Sequence, residues 1–261
     1  MKSLLNSVLG IFNVKLVRKS SYEKLSSNAN RFRDYELSSL INKKYFLDYF
    51  TNLQFSKSQL RQDLFVLSEL GFKENSFFIE FGATNGVDLS NTYILETRFK
   101  WNGVLAEPAK IWHHALMKNR SVAIETDCVW RETGETLLFN EVNDEKHCGE
   151  LSTIDSFTNL DNHAKSRNAA SNKYEVKTIS LADMLKKHNA PKEIDYLSID
   201  TEGSEFEILN SFNFNEYDIN IITCEHNYTP MREKIHSLLT RNGYERKYSE
   251  YSMFDDWYVK R

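Results

Sequence analysis

Apolar residues recur with a helical period through the first 70 residues and with a different period from residue 77 onward. In the first region, apolar side chains are spaced as on one helix face from Arg31 to Phe50 and from Gln59 to Leu70, where Gly71 follows as a C-cap. This pattern predicts that residues 1–70 form a helical N-terminal extension.

From residue 77 onward, short apolar runs alternate with amphipathic segments. The runs predict strands at 77–81, 103–106, 121–126, 136–140, 175–179, 194–199, 219–224, 243–248 and 256–260. The amphipathic segments predict helices at 90–99, 109–118, 180–188, 204–210 and 231–242. This alternation is typical of an α/β domain, here residues 71–261, with helices on both faces of a mostly parallel sheet. The strand-rich C-terminus predicts an antiparallel edge.

The polar segment from Asn143 to Asn172 interrupts this alternation. It is too long for a simple connection and is rich in small and polar residues, among them His147, Gly149, Ser152, Asn159 and Asn162. We interpret it as a lid or substrate loop.

Composition narrows the class of protein. Hydrophobic residues make up 41% of the 261 residues, enough for a packed core, and the net charge of −4 disfavours a nucleic-acid partner. The three cysteines, Cys128, Cys148 and Cys224, form no CxxC pair. We therefore expect reduced thiols in a cytoplasmic protein and no structural zinc site.

The first 19 residues form a separate apolar and basic segment. Its apolar residues Leu5, Val8, Leu9 and Phe12 share one helix face, and three basic residues come after them: Lys15, Arg18 and Lys19. The segment lacks the roughly 18 apolar residues of a membrane span and the cleavage site of a signal peptide. We expect a helix that packs on the main domain or on a second subunit of a homo-oligomer, with peripheral membrane contact as the alternative.

The most informative run is Phe77 to Gly86, in which a buried strand leads into a turn with glycine at both ends. Gly82 and Gly86 allow the backbone to pass close to a ligand, and Glu80 places a carboxylate where packing rarely needs one. The turn lacks both the GxGxxG pattern of dinucleotide sites and the lysine of a P-loop. It is therefore interpreted as a nucleoside-binding turn at a strand end.

Two further acids come after the next strands. Glu107 lies where a ribose-binding carboxylate falls in such a sheet, although Pro108 after it also fits an acid at a helix N-terminus. Asp127 can accept a hydrogen bond from an adenine amino group, or it is an ordinary turn residue.

A second acidic group surrounds Asp200. Asp200, Glu202 and Glu205 lie within six residues at a strand end, and Glu205 with Ser204 suits a helix cap. The next strand ends in Glu225-His226, and parallel strands release such residues at one edge. Asp200, Glu225 and His226 are thus candidate ligands of a divalent cation such as Mg²⁺, or His226 is a general base.

A polar cluster precedes the first strand and has no such assignment. We interpret it as the solvated face of a helix; it comprises Gln59, Arg61, Gln62 and Asp63.

Together, the order and spacing of these motifs resemble the FkbM-type S-adenosylmethionine-dependent methyltransferases from about residue 59 to the C-terminus. The matching segments are Gln62-Asp63, Phe78 to Ala83 with Gly86, Ser90 to Glu96, Trp101 to Val104, Glu107-Pro108, Ile179 to Leu181, Ile199 to Gly203 with Glu205, Glu225, Gly243-Tyr244 and Asp256-Trp257.

The resemblance implies a Rossmann-like class I methyltransferase fold with a seven-stranded sheet, and S-adenosylmethionine as cofactor. It places Glu80 and Gly82 beside the methionine part, Glu107 at the ribose, and Asp127 with Cys128 near the adenine; the other implied cofactor contacts are Ala83, Gly86, Asn91, Thr92 and Asp200. It also places Asp200 at the transfer site. With Glu202 and His226, which the strand-end pattern itself singles out, Asp200 is a candidate catalytic residue. Related sugar O-methyltransferases hold a divalent cation with acids here, but His226 departs from that pattern.

The implied reaction is O-methylation of a hydroxyl, with a sugar of a surface polysaccharide or of a glycosylated metabolite as acceptor. A scaffold that kept the fold and binds a nucleoside without turnover is the alternative. A methyltransferase acting on nucleic acid is disfavoured by the negative charge and by the lack of an Asn-Pro-Pro-Tyr/Phe motif.

Overall fold

The computed structural model describes residues 19–143 and 149–261. Its N-terminal part is helical, with α1 (Lys19–Leu40), a 3₁₀ turn (Lys43–Tyr45), α2 (Phe46–Leu53) and α3 (Gln62–Glu69). The expected helical extension is thereby confirmed from residue 19 onward. The amphipathic segment of residues 1–18, with its membrane or subunit contact, lies outside the described residues.

Eleven strands are found in the described parts of the chain. They are β1 (Phe77–Phe81), β2 (Asn102–Ala106), β3 (Ala123–Glu125), β4 (Cys128–Trp130), β5 (Thr136–Val142), β6 (Thr153–Ile154), β7 (Ser171–Ser180), β8 (Glu193–Ile199), β9 (Asp218–Glu225), β10 (Tyr244–Lys247) and β11 (Asp255–Lys260). The helices among them are α4 (Tyr93–Phe99), α5 (Lys110–Asn119), α6 (Ala164–Ala169), α7 (Leu181–Lys187), α8 (Glu205–Ser211) and α9 (Met231–Arg241), with a 3₁₀ turn at Asp155–Phe157.

Seven strands form the central sheet in the order β10-β11-β9-β8-β1-β2-β3. Strand β11 is antiparallel to β9 and β10, and the remaining pairs are parallel. This confirms the Rossmann-like, mostly parallel sheet with an antiparallel edge. The order reverses between β1 and β8, so the carboxyl ends of these strands open the crevice in which ligands of such sheets bind.

The four central strands β1, β2, β8 and β9 are buried on both faces along most of their length, which explains their apolar runs. One face carries Phe78, Tyr196 and Ile221 against the N-terminal helices, and Phe65 of α3 stacks on Trp257 with ring centroids 4.6 Å apart. The other face packs alternate residues such as Ile79, Leu197 and Ile222 against helices that include α7, α8 and α9.

Helix α3 belongs to this packing, which corrects the interpretation of its polar residues as a solvated face. Asp63 is completely buried and accepts hydrogen bonds from Ser56 Oγ at 2.7 Å and from Leu64 N at 2.8 Å. Gln62 is also buried and donates to Asp255 of β11 at 3.0 Å. Polar side chains satisfied within the protein do not need solvent. The division of the chain at residue 70 stays a prediction.

Two of the predicted strands, β5 and β7, belong to a second sheet and not to the central one. The second sheet has the order β4-β7-β5-β6, with β5 antiparallel to both β7 and β6. The sequence pattern could not place β4 and β6, since strands of three and two residues carry no period. Strand β6 and α6 lie within the segment interpreted as a lid, and residues 149–152 of that segment line a cavity at the edge of the central sheet. Its movement stays a prediction.

Helix α4 begins three residues later than predicted because residues 90–92 bind the carboxylate of Glu80. Within residues 19–143 and 149–261, no helix is both long and apolar enough to cross a bilayer.

Candidate active site

A cavity of about 370 Å³ lies at the carboxyl ends of β1, β2, β8 and β9. This volume falls in the usual range of small-molecule sites. The residues from 149 to 154 that line it come from the polar segment, and Gln59 and Gln62 line it from the N-terminal side. The edge at which the sequence predicted a nucleoside site therefore carries a cavity of suitable size.

Glu80, at the end of β1, organises the loop that comes after it. Its carboxylate accepts hydrogen bonds from Asn91 N at 2.6 Å, Thr92 Oγ1 at 2.6 Å and Ser90 Oγ at 3.0 Å. Glu80 lines the cavity, but these bonds occupy both of its oxygens. The geometry explains why a carboxylate is buried in this strand: it holds residues 90–92 in place.

Arg120, which no sequence motif indicated, completes this network. Its buried guanidinium lies 3.7 Å from Glu80 and donates to Thr92 Oγ1 at 2.9 Å, to Gly86 O at 3.0 Å and to Ser90 Oγ at 3.2 Å. It lies just after α5 and belongs to no motif, so only the tertiary structure reveals it. The loop after β1 is thus fixed from inside the protein.

The two glycines of this loop are needed for a reason other than the one expected. A Cβ on Gly82 would lie 2.0 Å from the backbone oxygen of Asp200, and φ is +72°. A Cβ on Gly86 would lie 2.6 Å from Arg120 Cγ, at φ +77°. The close approach is therefore to the protein itself, although Gly82 also lines the cavity. The cavity lining does not include Ala83, Gly86 or Thr92.

Glu107, at the end of β2, lines the cavity and is almost completely buried. Its two oxygens accept hydrogen bonds from Thr84 N at 2.7 Å and from Ala109 N, just before α5, at 2.8 Å. Burial raises its pKa from 4.5 to about 7. The helix-terminal role and a place at the ligand therefore coexist in this residue.

The two residues expected near an adenine have different surroundings. Cys128 is buried and lines the cavity, whereas Asp127 does not line it and lies 4.0 Å from the ammonium group of Lys187. Around Cys128 the cavity wall is mainly apolar, with Val129, Phe139, Leu151 and Ile154. This end of the cavity suits a flat apolar ring.

Three carboxylates meet at the ends of β8 and β9. One oxygen each of Asp200, Glu202 and Glu225 lies within 4.8 Å of the others. Burial raises the pKa of Asp200 to about 7 and raises the pKa values of Glu202 and Glu225 well above their ordinary range. Close carboxylates with no cation are costly when buried, and oxygen ligands of this kind suit a hard divalent cation.

A second arginine outside every sequence motif reaches this group. Arg167 of α6 is completely buried and donates to Glu202 at 2.5 Å and to Asp161 at 2.8 Å. Its Nε also donates to Leu151 O at 3.0 Å, so it links the polar segment to the acids. Glu202 has φ +58°, a strained conformation that such contacts hold in place.

His226 is a correction to the predicted site. Its ring lies outside the cavity lining, with Nε2 3.8 Å from Asp256 and Nδ1 accepting a hydrogen bond from Tyr228 N at 3.0 Å. Consecutive residues at a strand end point to opposite faces, so Glu225 and His226 do not reach the same site. Glu202 takes the place in the acidic group that the prediction gave to His226.

The FkbM methyltransferase domain model matches residues 80–246, more than half of the chain. The chain belongs to the FkbM methyltransferase family. This confirms the resemblance drawn from the motifs, and the matched region spans β1 to β10, including Glu107, Asp200 and Glu225.

Solved methyltransferase structures are similar to this chain at low identity. One is the methyltransferase FkbM from Methylobacillus flagellatus KT, with 12% identity and a TM-score of 0.47, covering 88% of this chain and 59% of that one. Another is the precorrin-6y C5,15-methyltransferase from Geobacter metallireducens GS-15, with 12% identity and a TM-score of 0.38, covering 76% of this chain and 85% of that one. No curated protein sequence matches the chain.

Replacing Gly82 by alanine tests the close approach of the two strand ends. We expect Gly82→Ala to destabilise the protein by more than about 3 kcal/mol, because the new Cβ collides with a backbone atom. Gly134→Ala is the matched control, since Gly134 also has a positive φ (+91°) but faces open space. We expect a cost of about 1 kcal/mol there, from backbone strain alone. Equal losses of the free energy of unfolding in the two variants, measured by urea denaturation, would contradict the predicted collision.

The raised pKa of Glu107 makes the free energy of unfolding depend on pH. Because its pKa is raised on folding, unfolding releases a proton between pH 4.5 and 7, so its contribution is lost as pH rises through that window. One pKa unit corresponds to about 1.4 kcal/mol. We expect the fall in the free energy of unfolding from pH 4.5 to 7.5 to be smaller in Glu107→Gln than in the parent. Glu132→Gln, at an exposed position, should leave the fall unchanged.

Proposed function

We propose that this protein transfers a methyl group from S-adenosylmethionine to a hydroxyl oxygen, with a sugar as acceptor. The observation that carries the proposal is one cavity, in a member of the FkbM family, that joins Glu107 at the end of β2 to the acids at the ends of β8 and β9. The surface polysaccharide or glycosylated metabolite, and the cytoplasmic location, stay predictions.

The residues at the β2 side of the cavity fit the cofactor. Glu107 already accepts two hydrogen bonds from backbone amide groups, and its oxygens keep further lone pairs that can accept from ribose hydroxyls. The apolar wall around Cys128 suits the adenine, and Gly82 lines the cavity at the end of β1, where the methionine part would lie. When bound, S-adenosylmethionine supplies an activated methyl group, so the protein has to align the acceptor oxygen and remove its proton.

Asp200 is our candidate for proton removal. It lines the cavity at the end of β8, next to the loop after β1, and its raised pKa of about 7 makes it a suitable general base near neutral pH. If a divalent cation is bound, Asp200, Glu202 and Glu225 would hold it instead, and the cation would lower the pKa of a coordinated hydroxyl. Arg167 neutralises part of the charge of Glu202 from the outer side.

Calorimetry with S-adenosylhomocysteine, the spent cofactor, tests the cofactor site. We expect binding by the parent and at least roughly tenfold weaker binding by Glu107→Ala, because charge-assisted hydrogen bonds to the ribose are lost. Glu132→Gln is the control and should bind like the parent. Failure of the parent to bind at millimolar concentration would exclude the proposed function, whereas binding without methylation of any acceptor would favour the scaffold.

Electron paramagnetic resonance with Mn²⁺ tests the cation site. We expect a bound-ion signal in the parent that is lost in Asp200→Asn and in Glu225→Gln, since each removes a charged ligand. His226→Gln is the control and should keep the signal because its ring lies outside the acidic group. Absence of bound Mn²⁺ in the parent would remove the cation from the proposal and leave Asp200 as base.

A further inference from the structure

One end of the cavity takes no part in the proposed cofactor and cation sites, apart from Asn91, which the family resemblance places at the cofactor. It is lined by Gln59, Gln62, Asn91, Phe254 and Asp255, and we call it the β11 end because Asp255 begins that strand. Its residues come from α3 and the segment before it, from the loop after β1 and from the C-terminal edge of the sheet. Three distant parts of the chain therefore build one polar wall.

Two buried oxygen atoms in this wall have no hydrogen-bond partner. They are Oδ1 of Asn91 and Oδ1 of Asp255, and the two residues are only 9% and 4% exposed. Buried polar atoms are almost always paired, and leaving one unpaired is costly. Both side chains line the cavity, so a ligand there can supply the missing donors.

The hydrogen bonds of these two side chains leave one oxygen atom of each without a partner. Asp255 uses its other oxygen to accept from Gln62 Nε2 at 3.0 Å and from Trp257 Nε1 at 3.2 Å. Asn91 uses its amide nitrogen to donate to Ser198 Oγ at 3.0 Å. In Asn91 the remaining atom is an acceptor. Burial raises the pKa of Asp255 to about 8, so its remaining oxygen is an acceptor above that pH. Above pH 8 the wall therefore offers two acceptors to hydrogen-bond donors.

The strand order separates this wall from the proposed ribose site. Asp255 is the register partner of Glu225, and β11 lies four strand positions from β2, where Glu107 ends the strand. Strands are about 4.8 Å apart, so the two ends of the row are roughly 19 Å apart. Asp200 lies between them. A ligand at the β11 end thus approaches the acids from the side opposite Glu107.

The charge of the cavity limits what that ligand can be. Its lining includes Glu80, Glu107, Asp200, Glu202, Glu225 and Asp255, and among the described residues no lysine or arginine lines it. A phosphate or carboxylate would enter a field of like charge and would find acceptors where it needs donors. Neutral hydroxyl groups and ammonium groups match both properties.

We propose that the β11 end is the acceptor subsite and that it takes a neutral or amino-bearing sugar, whose hydroxyl or ammonium groups donate to Asn91 and Asp255. Phosphorylated and carboxylated sugars are rejected there. This inference rests on the proposed function, since it names the acceptor class of the same site.

Saturation-transfer NMR on the full chain, saturated with S-adenosylhomocysteine, tests the subsite. The probes are methyl α-glucopyranoside and glucosamine, compared with glucose 6-phosphate and glucuronic acid. We expect signals from the first two and not from the charged pair. Equal signals from the charged sugars, or no signal from either of the first two, would overturn the inference while leaving the cofactor site intact. Loss of S-adenosylhomocysteine binding itself would instead overturn the proposed function.

Asp255→Asn is the sharpest variant because it keeps the shape of the side chain. Its oxygen can keep the bonds from Gln62 and Trp257, which turns the amide donor toward the cavity in place of the acceptor. Above pH 8, where Asp255 is ionised, we expect about tenfold weaker methyl transfer to the neutral sugar and unchanged affinity for S-adenosylhomocysteine. Asp218→Asn is the control, because that exposed residue pairs with Lys260 at the opposite end of β9.

Asn91→Ala provides an independent check should Asp255→Asn not fold. It removes the second unpartnered oxygen, and we expect the same loss of sugar signal in the variant saturated with S-adenosylhomocysteine. Unchanged sugar signals in a folded variant would contradict the subsite. Weaker binding of S-adenosylhomocysteine by Asn91→Ala would assign that atom to the cofactor and also contradict it.

Discussion

Repulsion among closely spaced carboxylates at one edge of the sheet is the constraint on which the site depends. A parallel sheet brings the acids that end β2, β8 and β9 to this edge, where Glu107 and Glu202 are buried and Asp200 and Glu225 are partly exposed. Two arginines relieve part of this charge: Arg120 beside Glu80, and Arg167 on Glu202. Both are buried and approach from outside the cavity, so the inner wall stays acidic.

This division of charge gives the two ends of the cavity different chemistry. The end near Cys128 is apolar, the middle carries the acids, and the β11 end carries unpaired acceptors. A cofactor with a flat ring and a positively charged centre would fit the end near Cys128 and the acidic middle. A group rich in hydrogen-bond donors would fit the β11 end. The order of the strands thus sets the order of three chemically different surfaces along one crevice.

Residues at strand ends were predictable from the sequence, whereas residues brought together by long-range packing were not. Glu107, Asp200 and Glu225 were found because parallel strands release their last residues at a common edge. Arg120 and Arg167 lie in no motif, and the contact between Gln62 and Asp255 joins residues too far apart along the chain to leave a local signal. His226 shows the reverse error, since alternation along β9 already separated it from Glu225.

The missing side chain of Gly82 has a mechanical consequence. Gly82, at the start of the loop after β1, lies so close to the backbone oxygen of Asp200 that no Cβ fits between them. Hydrogen bonds of Glu80 and Arg120 hold the same loop in place next to α5. A ligand that displaces the loop must therefore push the end of β8 as well. The ends of β1 and β8 are therefore in direct steric contact, and the displacement of either one is limited by the other.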